Sequence, residues 1–154
     1  MNAELRNRLA AAGLALAVPL IVYFEGTKTV AYLDPVAIPT ICRGHTGGVK
    51  LGQTATMDEC DEMTAKDLLK ANQAINSCIL VPLNEHQRSA FASFAFNAGG
   101  SAFCGSTMAR KLNAGDYTGA CNELPRWIYA QGTVLPGLVK RRAAEQSLCL
   151  GKTP

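Results

Sequence analysis

Val22-Tyr-Phe-Glu-Gly-Thr-Lys-Thr-Val-Ala-Tyr-Leu-Asp-Pro-Val-Ala-Ile-Pro-Thr40 sets one acid, Glu25, directly behind three large apolar residues, and a second, Asp34, nine positions later beside a proline. Gly26 is the residue type that closes a helix, so the first helix ends near Glu25. The pattern then changes. Val30, Tyr32, Ile38 and Ile41 sit among Thr, Pro and Gly, which predicts two or three short antiparallel strands with turns at Asp34-Pro35 and Gly47-Gly48. A helix end followed by a hairpin, in a chain that is otherwise helical, makes the fold class α+β, mainly α.

This order of elements gives the two acids contrasting surroundings. Glu25 falls at a helix C-terminus, where the macrodipole disfavours negative charge, and beside Tyr23 and Phe24, which disfavour it further. Asp34 falls in a polar turn and Thr40 on the following strand. A protonated acid, an ionised acid and a water-positioning hydroxyl in one cleft are what hydrolysis of a glycosidic bond requires. The residues alone leave a plainer reading open, with Glu25 a surface acid and Asp34 a turn former.

At 154 residues and 48% hydrophobic content, the chain can bury one substantial core, divided at most into two lobes. A net charge of +3 is too small and scattered for a nucleic-acid binder. The cysteines Cys42, Cys60, Cys78, Cys104, Cys121 and Cys149 form no CxxC pair, and there are only two histidines, so metal-ligand spacing is absent and no metal or other cofactor is called for. An even, dispersed set reads as three disulfides formed in an oxidising compartment, with buried free thiols the alternative.

Export needs a signal. Arg6 and Arg8 precede an uncharged run, Leu9 to Phe24, whose four leucines are diluted by five alanines, Gly13 and Pro19. As one helix it would be about 24 Å long, short of a hydrocarbon core of about 30 Å. Three readings stay open: an export element, a signal peptide cut near Ala15-Leu16-Ala17, or a buried core helix. The first and third can be sequential.

Thr56-Met-Asp-Glu59 is a capping box opening a long helix to about Cys78, with Met63, Leu68, Ala71 and Ile75 at helical spacing. Asn84 caps a helix carrying Phe91, Phe94 and Ala95, which Ala98-Gly99-Gly100 stops. Ser106 and Asp116 open two more, and a final helix runs from about Gly137 to Leu150. His45 reads as cleft support paired with a carboxylate, Asp67, rather than as an acid or base. Trp127 reads as core. Lys140, Arg141 and Arg142 read as a solvated face of the final helix, with contact to an acidic polymer the alternative.

Glu25, eight residues, Asp34, five residues and Thr40 resemble the catalytic triad of the T4-type phage lysozymes, glycoside hydrolase family 24. Phe24-Glu-Gly26, Thr40-Ile-Cys-Arg-Gly-His-Thr46, Phe96-Asn-Ala-Gly99, Arg126-Trp127 and Gly137-Leu-Val-Lys-Arg-Arg142 resemble family segments in the family's order. The likeness runs from about Tyr23 to Leu150 and extends to endolysins of lambdoid phages with a signal-anchor-release segment.

The resemblance implies a two-lobe fold with a small β-hairpin lobe, a long connecting helix and a helical C-terminal lobe. It divides the chain into 1–24, a signal-anchor-release segment that also serves as first helix, and 25–154, a muramidase catalytic domain. It implies an endolysin that cleaves the β-1,4 bond between N-acetylmuramic acid and N-acetylglucosamine of peptidoglycan, with Glu25 as general acid, Asp34 and Thr40 holding or activating water, and Asn97 contacting sugar. Inversion at the anomeric carbon is the implied course. It further implies a phage- or prophage-encoded monomer, tethered inactive to the host inner membrane and then active in the periplasm. Alignment to the family fold pairs Cys42 with Cys60 and Cys121 with Cys149, leaving Cys78 for Cys104.

Overall fold

The computed structural model describes residues 1–152. In chain order it contains α1 (Ala3–Ala11), α2 (Ala17–Glu25), β1 (Lys28–Leu33), β2 (Pro39–Cys42), α3 (Met57–Cys78), α4 (Glu85–Ala98), α5 (Gly100–Cys104), α6 (Thr107–Asn113) and α7 (Tyr117–Glu123). A 3-10 turn (Leu124–Arg126), β3 (Tyr129–Ala130), β4 (Thr133–Val134) and α8 (Pro136–Cys149) follow.

Two cores underlie the two lobes. Ile41, Cys42, Val49 and Cys60 make a small one beneath the β1–β2 hairpin. The large one gathers Phe91, Phe94, Phe103, Met108, Leu112, Leu124 and Leu148 from the C-terminal helices. Helix α3 serves both, with Cys60 in the first and Ala65, Leu68, Ala71 and Ile75 in the second. Its capping box is formed as expected: Thr56 Oγ1 accepts from the Glu59 amide and the Glu59 carboxylate accepts from the Thr56 amide. Trp127 packs edge-on against Phe94, with centroids 5.1 Å apart, in agreement with the core reading. His86 is half-buried.

The N-terminal run is not one helix. Gly13 adopts φ +72°, its amide bonds to Ala10 O and the Leu14 amide to Leu9 O, so α1 closes in a Schellman motif with Gly at the left-handed position. Pro19 lies in the first turn of α2, where its missing N–H costs little. The break lets both short helices turn their apolar sides inward: Leu5, Leu9, Leu14, Ala17, Leu20 and Ile21 are all buried in the large core. Among the described residues no helix is long and apolar enough to cross a membrane.

The three disulfides are Cys42–Cys60, Cys78–Cys104 and Cys121–Cys149, the pairs the resemblance implies. The first ties β2 to the start of α3, the second α3 to α5, and the third α7 to α8.

Candidate active site

Glu25 is the last residue of α2, and the left-handed Gly26 (φ +64°) turns the chain out into β1. Its carboxyl group stands between the lobes. On one side Arg141 of α8 donates from Nη1 to Glu25 Oε1 at 2.5 Å. On the other lies Gly44, just beyond β2, where a Cβ would stand 3.5 Å from Oε2; the glycine (φ +80°) leaves that oxygen open.

Asp34 begins the β1–β2 turn. Its Oδ1 accepts from the amides of Val36 (2.9 Å) and Ile38 (2.8 Å), its own amide donates to Ile38 O, and Ala37 within the loop sits at φ +62°. The turn thus holds the carboxylate by one oxygen, and among the described residues no donor meets Oδ2. Thr40, opposite Tyr32 in the hairpin, is buried and donates to Ile38 O at 2.9 Å, which leaves its lone pairs to accept. Both residues therefore hang from the same loop.

The hairpin is braced from behind. Arg43, buried, donates to Thr27 Oγ1, Asp61 Oδ1 and Thr64 Oγ1, joining the segment after Glu25 to α3. Burial opposes the charge of Asp61, but Arg43 and the N-terminal ammonium of Met1 outweigh it and hold the carboxyl below its usual range. His45 Nδ1 lies 2.7 Å from Asp67 Oδ2, and its Nε2 lies 3.1 Å from Gly47 O, so the expected pair is in contact and both nitrogens are engaged. A cleft of about 520 Å³ opens here. Its walls are Gly44 to Gly47 of the small lobe, α3 from Asp67 to Ala74, and the α4–α5 junction at Phe96 and Gly99 to Ser101. Glu25 stands at its edge, against Gly44, and not within it.

Arg141 and Arg142 overturn the expectation of a solvated face. They are 3% and 2% exposed, and both bond to Glu145, whose exposure is 0%. Asn97, exposed at the end of α4, accepts from Arg142 Nη2. Burial works against the Arg142 charge and lowers its affinity for the proton, while Glu145 opposes that effect. Sequence reasoning missed Glu145 and the inward aim of both arginines. The signal was present: an acid three and four residues after two adjacent arginines, in a helix otherwise carrying Leu138, Val139, Ala143, Ala144 and Leu148.

Residues 22–145 match the family model described as phage lysozyme. A SAR-endolysin of Enterobacteria phage P21 is 39% identical over 161 aligned residues, covering 97% of this chain and 98% of its own. The muramidase domain of SpmX from Asticaccaulis excentricus superposes with TM-score 0.81 at 36% identity, over 87% of this chain and 94% of that one. The active form of the P1 phage endolysin Lyz matches at TM-score 0.80 and 28% identity, over 88% and 83%. The secreted inactive form of the same endolysin matches at TM-score 0.60 and 24% identity, over 88% and 93%. A match over most of the length, with the two-lobe architecture beneath it, leaves one assignment: the chain belongs to the phage lysozyme family and is a lysozyme-type glycoside hydrolase.

Proposed function

We propose that this enzyme is a phage endolysin that hydrolyses the β-1,4 bond between N-acetylmuramic acid and N-acetylglucosamine in bacterial peptidoglycan, lysing the host cell. The observation that carries the reading is the division of labour at Glu25. Arg141 occupies Oε1, so Oε2, which faces the space over Gly44 at the edge of the cleft, is the oxygen placed to deliver a proton. Glu25 gives that proton to the leaving oxygen, and the carboxylate so formed is met by the guanidinium already in place. Water adds to the anomeric carbon from the hairpin side, held by Asp34 Oδ2 and Thr40 Oγ1, and its proton passes to Asp34. The arginine holding Asn97 Oδ1 leaves its Nδ2 free to donate to a sugar. His45 and Asp67 support the cleft wall.

Mass spectrometry of released muropeptides tests the reaction class. Hydrolysis gives reducing ends. Anhydro-sugar ends would mean a lytic transglycosylase, which has no use for a water-holding Asp34, and would sink the assignment.

The signal-anchor-release reading rests on the run Leu9 to Phe24 and on the SAR-endolysins among the relatives. In it, residues 1–24 first hold an inactive, monomeric enzyme at the inner membrane, then leave intact and become α1 and α2 in the periplasm. No cysteine lies within residues 1–41, so release proceeds by refolding of this segment and not by a thiol of the anchor exchanging disulfides. Fractionation before and after an uncoupler should move full-length protein from membrane to periplasm and switch lysis on; cleavage near Ala17, or a protein soluble in the cytoplasm throughout, refutes this part alone.

A further inference from the structure

Glu145 is a carboxylate with no exposure to solvent. Such a group is costly to bury unless every lone pair it presents is met, and replacing buried ion networks by apolar side chains is often neutral or stabilising. Stability alone is therefore a poor reason for its presence. Its partners give a better one. Oε1 accepts from Ser93 Oγ of α4 at 2.7 Å and from Arg141 Nε at 3.1 Å; Oε2 accepts from Arg142 Nη1.

A guanidinium is planar, so two fixed N–H groups dictate where the remaining ones point. Arg141 is fixed at Nε by Glu145 and at Nη2 by Ser93 O (3.3 Å), and the direction left to Nη1 ends on Glu25. Arg142 is fixed at Nη1 by Glu145 and at Nε by Trp127 O (3.0 Å), and the direction left to Nη2 ends on Asn97. One carboxylate thus aims two forks, one at the acid and one at the sugar-contact candidate. Its charge also offsets the repulsion between two adjacent buried guanidiniums. Other cations of α4 and the small lobe are engaged elsewhere: Arg88 donates to Asn72 and Asn76, Arg43 pairs with Asp61, and His45 contacts Asp67.

We propose that Glu145 is a positioning residue for the hydrolysis, acting through Arg141 on Glu25 and through Arg142 on Asn97, with Ser93 locking it in place. The proposal rests on the reading of Glu25 as the acid. It differs from the sequence-level view of this helix as a basic surface, because it makes the buried acid between the two arginines the organiser of the site.

The test uses steady-state kinetics on soluble glycan strands from Gram-negative peptidoglycan, with circular dichroism and thermal melts to count folded molecules. Glu145→Gln keeps the shape and removes the charge. It should lower kcat/KM by about tenfold to a hundredfold per folded molecule, the scale set by a small misplacement of reacting groups, with kcat falling and KM rising together. Arg141→Gln should lower kcat on its own, and adding Glu145→Gln to it should lower kcat no further, because the two residues act as one unit. A merely structural role predicts instead that the two losses multiply, or that Glu145→Gln lowers the melting temperature and leaves kcat intact; either result overturns the proposal. Should Glu145→Gln fail to fold, Ser93→Ala removes one hydrogen bond and no charge, and should cost a few-fold in kcat with an unchanged spectrum; an unchanged kcat refutes the inference. Glu25→Gln is run alongside. If it remains active, the acid assignment fails and takes this proposal with it; if it is dead while Glu145→Gln and Ser93→Ala behave as the parent, only the positioning role falls.

Discussion

Leu9→Ala asks whether the N-terminal run is structural cement or an appendage. Leu9 is 1% exposed, lies on α1 against α3, and belongs to the large core together with Leu5 and Leu14. Truncating a fully buried leucine removes its transfer free energy and leaves a cavity, about 3 kcal/mol within a usual span of about 2–5. For a chain of this length that is a fall in Tm of roughly 6–12 °C. Deleting residues 1–16 removes all three leucines, at about 1.5–3 kcal/mol each, against a total stability of about 5–15 kcal/mol for an ordinary domain. The truncated protein should therefore lose most of its stability and melt far below the parent even though Glu25, Asp34 and Thr40 all remain. Differential scanning calorimetry of oxidised parent, Leu9→Ala and the deletion gives the stability ladder, and turbidity clearing of permeabilised Gram-negative cells gives activity. If the deletion variant melts cooperatively within a few degrees of the parent and clears cells at the parental rate, the N-terminal run contributes nothing to the core, and the link between anchoring and inactivity drawn from it is wrong.

Glu25→Gln should abolish lysis with the fold intact, since an amide keeps the shape but has no proton to give, and Asp34→Asn should be nearly as damaging; a Glu25→Gln enzyme within about tenfold of the parent refutes the assignment. The hydrogen bond from Lys111 holds the Glu123 carboxyl below its usual range, burial opposing and Arg126 assisting. The unfolded chain then binds the extra proton first, so the stabilisation is complete above the ordinary glutamate range and is lost as pH falls through the depressed folded value. Urea unfolding at a series of pH values from about 6 downward should show a shallower acid-side loss in Glu123→Gln than in the parent, whereas parallel curves would contradict the pairing. Cys42–Cys60 closes a loop with a sequence separation of 18 and anchors β2 to α3 beside Arg43, at a worth of about 3 kcal/mol. Mild reduction should lower activity before the global transition moves, and simultaneous loss of both would place the weak point elsewhere.

The elements most legible in the sequence were those with local signatures. The capping box at Thr56, the Asn84 cap, the turn at Asp34-Pro35 and the close of α2 at Gly26 each depend on a few neighbouring residues, and each stands where expected. Glu25, Asp34 and Thr40 could be proposed as a set for the same reason, lying within 16 residues of one another. The break at Gly13 was written in the sequence as a glycine followed by an apolar residue, but the continuous apolar composition masked it; composition reports burial and not helix length. The β3–β4 hairpin was missed because its two-residue strands carry no periodicity, and only Gln131-Gly132, both at positive φ, marks the turn. For Arg141 and Glu145 the local spacing could have suggested the pair, but not the direction in which either side chain points. Their partners Glu25 and Ser93 are 116 and 52 positions away, and nothing local to α8 tells an arginine aimed at solvent from one aimed at a carboxylate across the core.

On the proposed signal-anchor-release reading, the N-terminal run would tie activity to location through the geometry of one glycine. In a bilayer, backbone groups have no water to bond, so residues 9–24, if held there, would continue as helix through Gly13, with that glycine in the right-handed conformation. In the folded enzyme Gly13 is left-handed, Gly13 O accepts from Ser89 Oγ of α4 at 3.0 Å, and Arg88 packs against the space where a Cβ would be. These are two mutually exclusive backbones for one segment, and the second requires α4 as a partner. Glu25 ends the same segment. In the folded enzyme the last residue of α2 meets Arg141, and α2 reaches α8 by packing its buried face, Ala17, Leu20 and Ile21, into the core that α4 and α8 share. The acid, its guanidinium and the core beneath them belong to one packed unit, and a segment still held in lipid would leave Arg141 without the carboxyl group it meets here.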